Sequence, residues 1–366
     1  MQRPTEKGDG IDAFPLIEVQ GSNYEMGCQH GEKCAQLIKD HLAISLRNLQ
    51  QNGTPKEKAL AYARQSIGFA ASYAPHLVEE LNGIADGAKI SREEIYYLNS
   101  THPKTYEGCT TFVVFPERTQ EETMIATQNI DNDVSSRTID RGIILHTVPD
   151  NGPEILAFCR AGNLYPHGIN SAGMTRVGNA LTSVLDRHFG VSTDWVGRLC
   201  LEQDTVQDAV GCIGRARRSK SNTVIMTDNS GRAALVEFCP DDLGILEPYD
   251  SVPNRGYFFH TNHFLHPDML KYEGRHGDRV FNSATRLTRI KQLLQEWDKT
   301  GDKMGIEDAK KMLSDHANTP DSICAHLQPP KKTISTVACV IAQPAKKTIH
   351  VCKGNPCKNQ FQTYTI

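Results

Sequence analysis

The chain has 366 residues, 39% of them hydrophobic and 23% charged, and 40 Lys+Arg against 43 Asp+Glu leave a net charge of −3. That length supports one large globular domain or two modest ones, and with a near balance of charge and no basic run resembling a nucleic-acid patch, no nucleic-acid partner is expected. No apolar run approaches the roughly 18 residues needed to span a bilayer, and the opening stretch MQRPTEKGDGIDAF is polar, without the apolar core of a secretory signal; a cytoplasmic protein with no membrane partner is the expectation.

In chain order, Leu16 to Val19 reads as a short strand, followed by a glycine-bearing stretch and a helical segment around His30 to Leu46. From Lys56 to Leu98, apolar spacing at Ala59, Ala63, Ile67 and Ala70, and again at Leu77, Leu81, Ile84 and Ala88, predicts helices. Ser91 followed by Glu94 is a capping box that opens a further helix, Glu93 to Asn99. The texture changes near residue 109. Short strands are predicted at Thr110 to Phe115, Thr123 to Ile130, Gly142 to Val148 and Glu154 to Phe158. Others follow at Thr223 to Thr227, Ala233 to Phe238, Tyr257 to Thr261, Thr333 to Ile341 and Thr348 to Cys352, with helices at about Asp194 to Ile213 and Val280 to Trp297. Helices first, then a strand-rich body with a few helices, define an α+β architecture rather than alternating βαβ units.

Eleven cysteines are scattered along the chain. Cys352 and Cys357 match no standard zinc spacing and no His-rich segment lies near them in sequence, so no metal site and no cofactor is expected, and most of these thiols read as small buried hydrophobes. Cys109 differs through its neighbours, Glu107-Gly108-Cys109-Thr110-Thr111-Phe112. Glycine tolerates the backbone angles that expose its carbonyl, and the next thiol can attack it, moving the chain from amide to thioester for water to resolve. The new N-terminus would carry a thiol of pKa ~8.5 and an amine of pKa ~8 on one residue, so that the amine serves as base for its own side chain.

The wider pattern resembles the cysteine-type N-terminal-nucleophile amidohydrolases of the isopenicillin N acyltransferase family, peptidase family C45. The resemblance runs in order through GSNYEMGCQHG at Gly21 to Gly31, EELNGIADGA at Glu79 to Ala88, Leu98-Asn99, Gly108-Cys109-Thr110-Thr111 and Gln128-Asn129-Ile130-Asp131. It continues through Asn170-Ser171-Ala172-Gly173, Glu237-Phe238, His260-Thr261-Asn262-His263 and Ser322-Ile323-Cys324. It implies an αββα four-layer sandwich with an N-terminal helical segment, cut between Gly108 and Cys109 into residues 1–108 and 109–366, which stay together as one structural unit. It also implies Cys109 as nucleophile, Asp131 as a carboxylate beside it, and Asn262 as an oxyanion donor, a role worth about 3–4 kcal/mol.

Thr110, Ser322 and Glu237 are secondary candidates. Asp133 reads as a turn aspartate, and His30, His260 and His263 read as structural. Asn222 faces a family serine position near the substrate pocket. Where the family carries an arginine after Ser-Ile-Cys, this chain has Ala325, and His326 or Arg286 would have to supply the charge.

The function implied is an autoprocessed amidohydrolase or acyltransferase acting through a thioester on a small-molecule amide: an N-acyl amine, an N-acyl amino acid or a β-alanyl amide. An acyl-CoA or amine acceptor stays open. The alternatives are a degenerate member that binds a small ligand with little turnover, and an amidase like the penicillin-V and bile-salt hydrolases, in which the nucleophile stands near the start of the chain rather than behind 108 residues.

Overall fold

The computed structural model describes residues 12–51, 53–100, 107–133, 135, 138–164, 166–187, 189–246, 256–329 and 332–366. Strand β1 (Leu16–Gly21) hands over at Ser22 to helix α1 (Asn23–Lys33). The Ser22 hydroxyl accepts the Glu25 amide and the Glu25 carboxylate accepts the Ser22 amide, which satisfies two otherwise orphaned donors and starts the helix ahead of the expected onset at His30. Helix α1 lies directly on α4 (Pro75–Ala88). A Cβ at Gly27 would sit 2.1 Å from the Glu80 carbonyl oxygen, one at Gly83 2.1 Å from that of Tyr24, one at Gly31 2.3 Å from that of Ile84, and one at Gly87 2.2 Å from that of Cys28. Two i,i+4 glycine pairs thus let the helix backbones touch, which offsets the roughly 1 kcal/mol that each glycine costs inside a helix.

Helices α2 (Ala35–Gln51), α3 (Lys56–Tyr73) and α5 (Arg92–Leu98) complete the N-terminal group. The capping box expected at Ser91 is present, and α5 begins one residue before its predicted start. The helix expected over 194–213 is two, α6 (Thr193–Leu201) and α7 (Val206–Arg215), because Thr205 caps a new start by accepting the Asp208 amide at 3.1 Å. Near the end come α8 (Asp278–Thr300) and α9 (Ile306–Leu313), the second not predicted.

Two sheets carry the body. In one, β1 pairs in parallel with β4 (Gly142–Pro149), followed across the sheet by β5 (Ile155–Arg160), β6 (His167–Asn170), β7 (Thr175–Ala180), β8 (Asn222–Thr227), β9 (Ala233–Phe238) and β10 (Leu243–Leu246). The other runs β11 (Tyr257–His260), β2 (Glu107–Val114), β3 (Ile125–Asp133), β12 (Ile334–Gln343), β13 (Thr348–Lys353) and β14 (Phe361–Thr365). Neighbouring strand residues enter different cores: Phe112 packs with Ile290 and Leu294 of α8, whereas Val113 packs with Ile144, Val177 and Ile225 of the opposite sheet. Likewise Val224 joins Leu77, Ile84 and Val196 beneath the N-terminal helices. This period-two division buries both faces of both sheets. The result is the expected αββα sandwich.

Polar side chains fasten the layers. Gln128 on β3 exchanges two hydrogen bonds with the Gly178 backbone on β7, joining the sheets. Arg198 on α6 grips Glu80 on α4 through both guanidinium nitrogens, at 2.9 and 2.8 Å, with both side chains buried. Asn99 accepts the Leu164 amide and donates to the Gly162 carbonyl. The same turn donates its Gly162 amide to Nε2 of buried His30 at 3.1 Å.

Gly83→Ala is expected to force α1 and α4 apart and to cost roughly 1–3 kcal/mol, the usual range for overpacking, read as a lower urea midpoint with helix content retained. A second expectation concerns pH. Burial lowers the His30 pKa to about 4, so the neutral ring that accepts the Gly162 amide belongs to the folded state, while the unfolded chain takes up a proton near 6.5. Its stabilising contribution is complete above pH 6.5 and is lost as pH falls toward 4. Urea titrations across that range should show a shallower decline for His30→Gln than for the parent; identical slopes would remove His30 from the account.

Candidate active site around Cys109

The β2–β3 register brings the site together. Gly108 stands opposite Asp131, Cys109 opposite Ile130, and Thr110 opposite Asn129. Directly opposed residues share a face of the sheet. Ile130 belongs to the core between the sheets, which puts Cys109 on that side and Gly108, Thr110 and Asp131 on the side of α8. Asn129, on the α8 side, donates to the Leu313 and Ile323 carbonyls and so pins the 323 loop against the strand. Asp131 lies so close to Gly108 that an added Cβ would stand 3.1 Å from its Oδ2. A larger residue before Cys109 would press on the carboxylate.

Asn262 follows β11 and reaches both sheets. Its Oδ1 accepts the Cys109 amide at 2.7 Å, and its Nδ2 donates to the Ala180 carbonyl at the end of β7 at 3.0 Å. An amide nitrogen carries two hydrogens, and this bond uses one. Its backbone amide donates to Ser283 Oγ at 2.7 Å, which fixes the loop on α8. Arg286, one helical turn further along α8, is buried and fork-shaped in its contacts. Nη1 donates to the Cys109 carbonyl and, at 3.1 Å, to Thr110 Oγ1. Nη2 donates to Asn262 Oδ1 at 2.8 Å and Nε to Asn282 Oδ1 at 3.0 Å. A lysine could not span four acceptors in that geometry.

Asp131 is 1% exposed. Burial raises its pKa, while the Arg286 charge, the Thr336 hydroxyl and the Lys332 ammonium pull the other way. Thr336 on β12 donates to Asp131 Oδ1 at 2.7 Å and accepts the Ala325 amide at 2.9 Å. The Ala325 loop therefore acts on Asp131 through Thr336.

The structure gathers Cys109, Asp131, Asn262, Gly108 and Thr110 in one place and sets the other candidates apart. Glu237 bonds His260 at 2.8 Å and accepts the Leu265 and His266 amides, so it shapes the loop that carries Asn262. Ser322 Oγ donates to the Cys324 carbonyl at 2.7 Å. Asp133 accepts from the Ser135 amide and Thr333, as a turn aspartate does, and His263 bonds Ser283 Oγ at 2.7 Å. Of the two groups weighed against Ala325, Arg286 reaches Cys109 and His326 turns elsewhere. Thr336 and Ser283 were missed, since a hydroxyl in a strand or helix carries no sequence signal until its partner is known. Cys357, which has no zinc spacing with Cys352 along the chain, meets His316, Cys324 and His326 in space, with all four donor atoms within 4.8 Å of one another.

Residues 118–358, more than half of the chain, match the acyl-coenzyme A:6-aminopenicillanic acid acyl-transferase family, and the chain belongs to that family. It is 27% identical to the 40 kDa form of acyl-coenzyme A:6-aminopenicillanic-acid-acyltransferase of Emericella nidulans, over 96% of this chain and 95% of that one. It is 21% identical to the beta-alanyl-dopamine/carcinine hydrolase of Drosophila melanogaster, over 95% of both. Among solved structures, penicillin V acylase from Agrobacterium tumefaciens aligns with a TM-score of 0.45 and 14% identity, covering 67% of this chain and 83% of that one.

Arg286→Met removes the donor shared by the Cys109 carbonyl, Thr110, Asn262 and Asn282. Weakening the buried partners of the Cys109 carbonyl and the Thr110 hydroxyl costs about 1–3 kcal/mol each, so the variant is expected to lose at least about 2 kcal/mol in urea unfolding, and a loss below about 1 kcal/mol would contradict the arrangement.

Proposed function

We propose that this protein is an amide hydrolase or acyltransferase that cleaves its own Gly108–Cys109 bond and then uses Cys109 as an N-terminal nucleophile. The observation that carries the reading is the bond from the Cys109 amide to Asn262 Oδ1, with Asp131 beside Gly108. The nitrogen held there is the one that becomes the free amine.

In self-cleavage the Cys109 sulfur adds to the Gly108 carbonyl carbon. The C–S bond forms, the Gly108–Cys109 C–N bond breaks, and the thiol proton passes to the departing nitrogen. Water then hydrolyses the thioester, releasing the Gly108 carboxylate and restoring the thiol. In turnover the amine takes the thiol proton, sulfur attacks the substrate amide, and the proton passes on to the leaving amine. Asn262 offers its second amide hydrogen to the oxyanion, Asp131 faces the new ammonium, and Arg286 keeps the Cys109 carbonyl in place. The acyl group ends on water or on an acceptor amine.

The Drosophila relative is named for hydrolysing β-alanyl amides and the Emericella relative for acyl transfer to an amine. Small N-acyl amines and β-alanyl amides are accordingly the substrates of choice. The two fragments would stay joined, because β1 is hydrogen-bonded to β4 and α1 to α5 share a core with the eight-stranded sheet.

Purified protein is expected to migrate under denaturing conditions as pieces of about 12 and about 29 kDa, dividing 40.6 kDa by chain length, with the larger beginning at Cys109. Cys109→Ala should stay intact and lose amide turnover by about 10³-fold or more. Fragmentation of Cys109→Ala at the same bond would overturn the proposal.

A further inference from the structure

His316, Cys324, His326 and Cys357 come from three separate segments and point their donor atoms at one spot. Sγ of Cys324 lies 3.6 Å from Sγ of Cys357, and Nε2 of His326 lies 3.5 Å from the first sulfur and 3.3 Å from the second. Nε2 of His316 is 3.0 Å from Nε2 of His326. A tetrahedral zinc with bonds of about 2.3 Å to sulfur and about 2.0 Å to nitrogen requires S–S, S–N and N–N separations of about 3.8, 3.5 and 3.3 Å. The four measured separations fall within a few tenths of an ångström of these.

We infer that these four side chains form a structural zinc site that clasps the 324–326 loop between the turn after α9 and the turn after β13. The ligand set is two thiolates and two imidazoles, the combination that favours Zn²⁺ among the common divalent ions. Zinc uptake replaces the two thiol protons, which go to solvent.

The surroundings suit such a centre. Asn355 Nδ2 lies 3.6 Å from Cys324 Sγ and donates to the Ala325 carbonyl at 2.6 Å, a neighbour that both steadies a thiolate and fixes the loop. The Cys324 amide donates to the Asp315 carbonyl at 3.0 Å, and Arg289 of α8 holds the Asp315 carboxylate through Nε and Nη2 at 3.0 and 2.6 Å. The backbone beneath His316 and Cys324 is therefore set before any ion arrives. Cys324 is buried whereas His316 and Cys357 are exposed, so the ion has an open approach. Through Ala325 and Thr336 the clasped loop leads to Asp131, yet the site contains none of the residues around Cys109 and does not depend on what they do.

The test uses the full-length protein, purified without chelator and under reductant, then incubated with zinc sulfate and desalted. About one zinc per chain by mass spectrometry is expected, and replacement by cobalt should give the strong near-ultraviolet absorption of cobalt–thiolate bonds together with the visible bands of a tetrahedral ion. Cys357→Ser and His316→Ala change exposed positions, so both should fold by circular dichroism, and each should retain about tenfold less zinc than the parent after equal washing. Three results would overturn the inference: no zinc on the reconstituted parent, equal zinc on the folded variants, or an intact mass showing that Cys324 and Cys357 form a disulfide under reductant.

Discussion

The antiparallel register of β2 against β3 is the constraint on which the site depends. It places Gly108 across from Asp131 and Cys109 across from Ile130, and a slip of one residue would turn Cys109 to the opposite face of the sheet. Arg286 holds that register from the outside. One guanidinium ties the Cys109 carbonyl, Thr110, Asn262 and Asn282 together, so strand, loop and helix are joined around the Gly108–Cys109 bond.

Several features remote from Cys109 serve the same end. Gln128 fixes the separation of the sheets through Gly178, and Asn262 spans that gap by reaching Ala180. Glu237 sits beneath the loop bearing Asn262, meeting His260 and two backbone amides. Because these groups are buried and matched, a shift in one would strand the donors or acceptors of the others, and such networks are stiff for that reason. The 322–326 loop is the most peripheral support. It reaches Asp131 through Thr336, and side chains from two distant segments meet on its outer flank.

The N-terminal helices illustrate how much a motif can say before its purpose is visible. GSNYEMGCQHG and EELNGIADGA are marked by glycines at i and i+4, which are unfavourable in isolated helices. The glycine positions become intelligible only as a pair of touching ridges, and Glu80 in the second motif only as the partner of Arg198, more than a hundred residues away.

Local pattern alone determined the α+β class, most strands and helices and the Ser91 cap, whereas the Gly108-Cys109 junction and Asp131 were singled out by the ordered family resemblance. The first set are properties of neighbours in the chain, alternation and capping; the second needed motifs spread along the whole sequence. The break between α6 and α7, the helix α9 and the strands β6, β7, β10 and β14 escaped notice because each is short, and in β6 and β7 burial on both faces also masks the period. Only the tertiary structure decided that Arg286 rather than His326 reaches Cys109, that Thr336 bonds Asp131, and that Cys357 belongs with His316, Cys324 and His326. Those choices rest on which side chains converge when strands and loops far apart in sequence are stacked, and no spacing along the chain encodes that convergence.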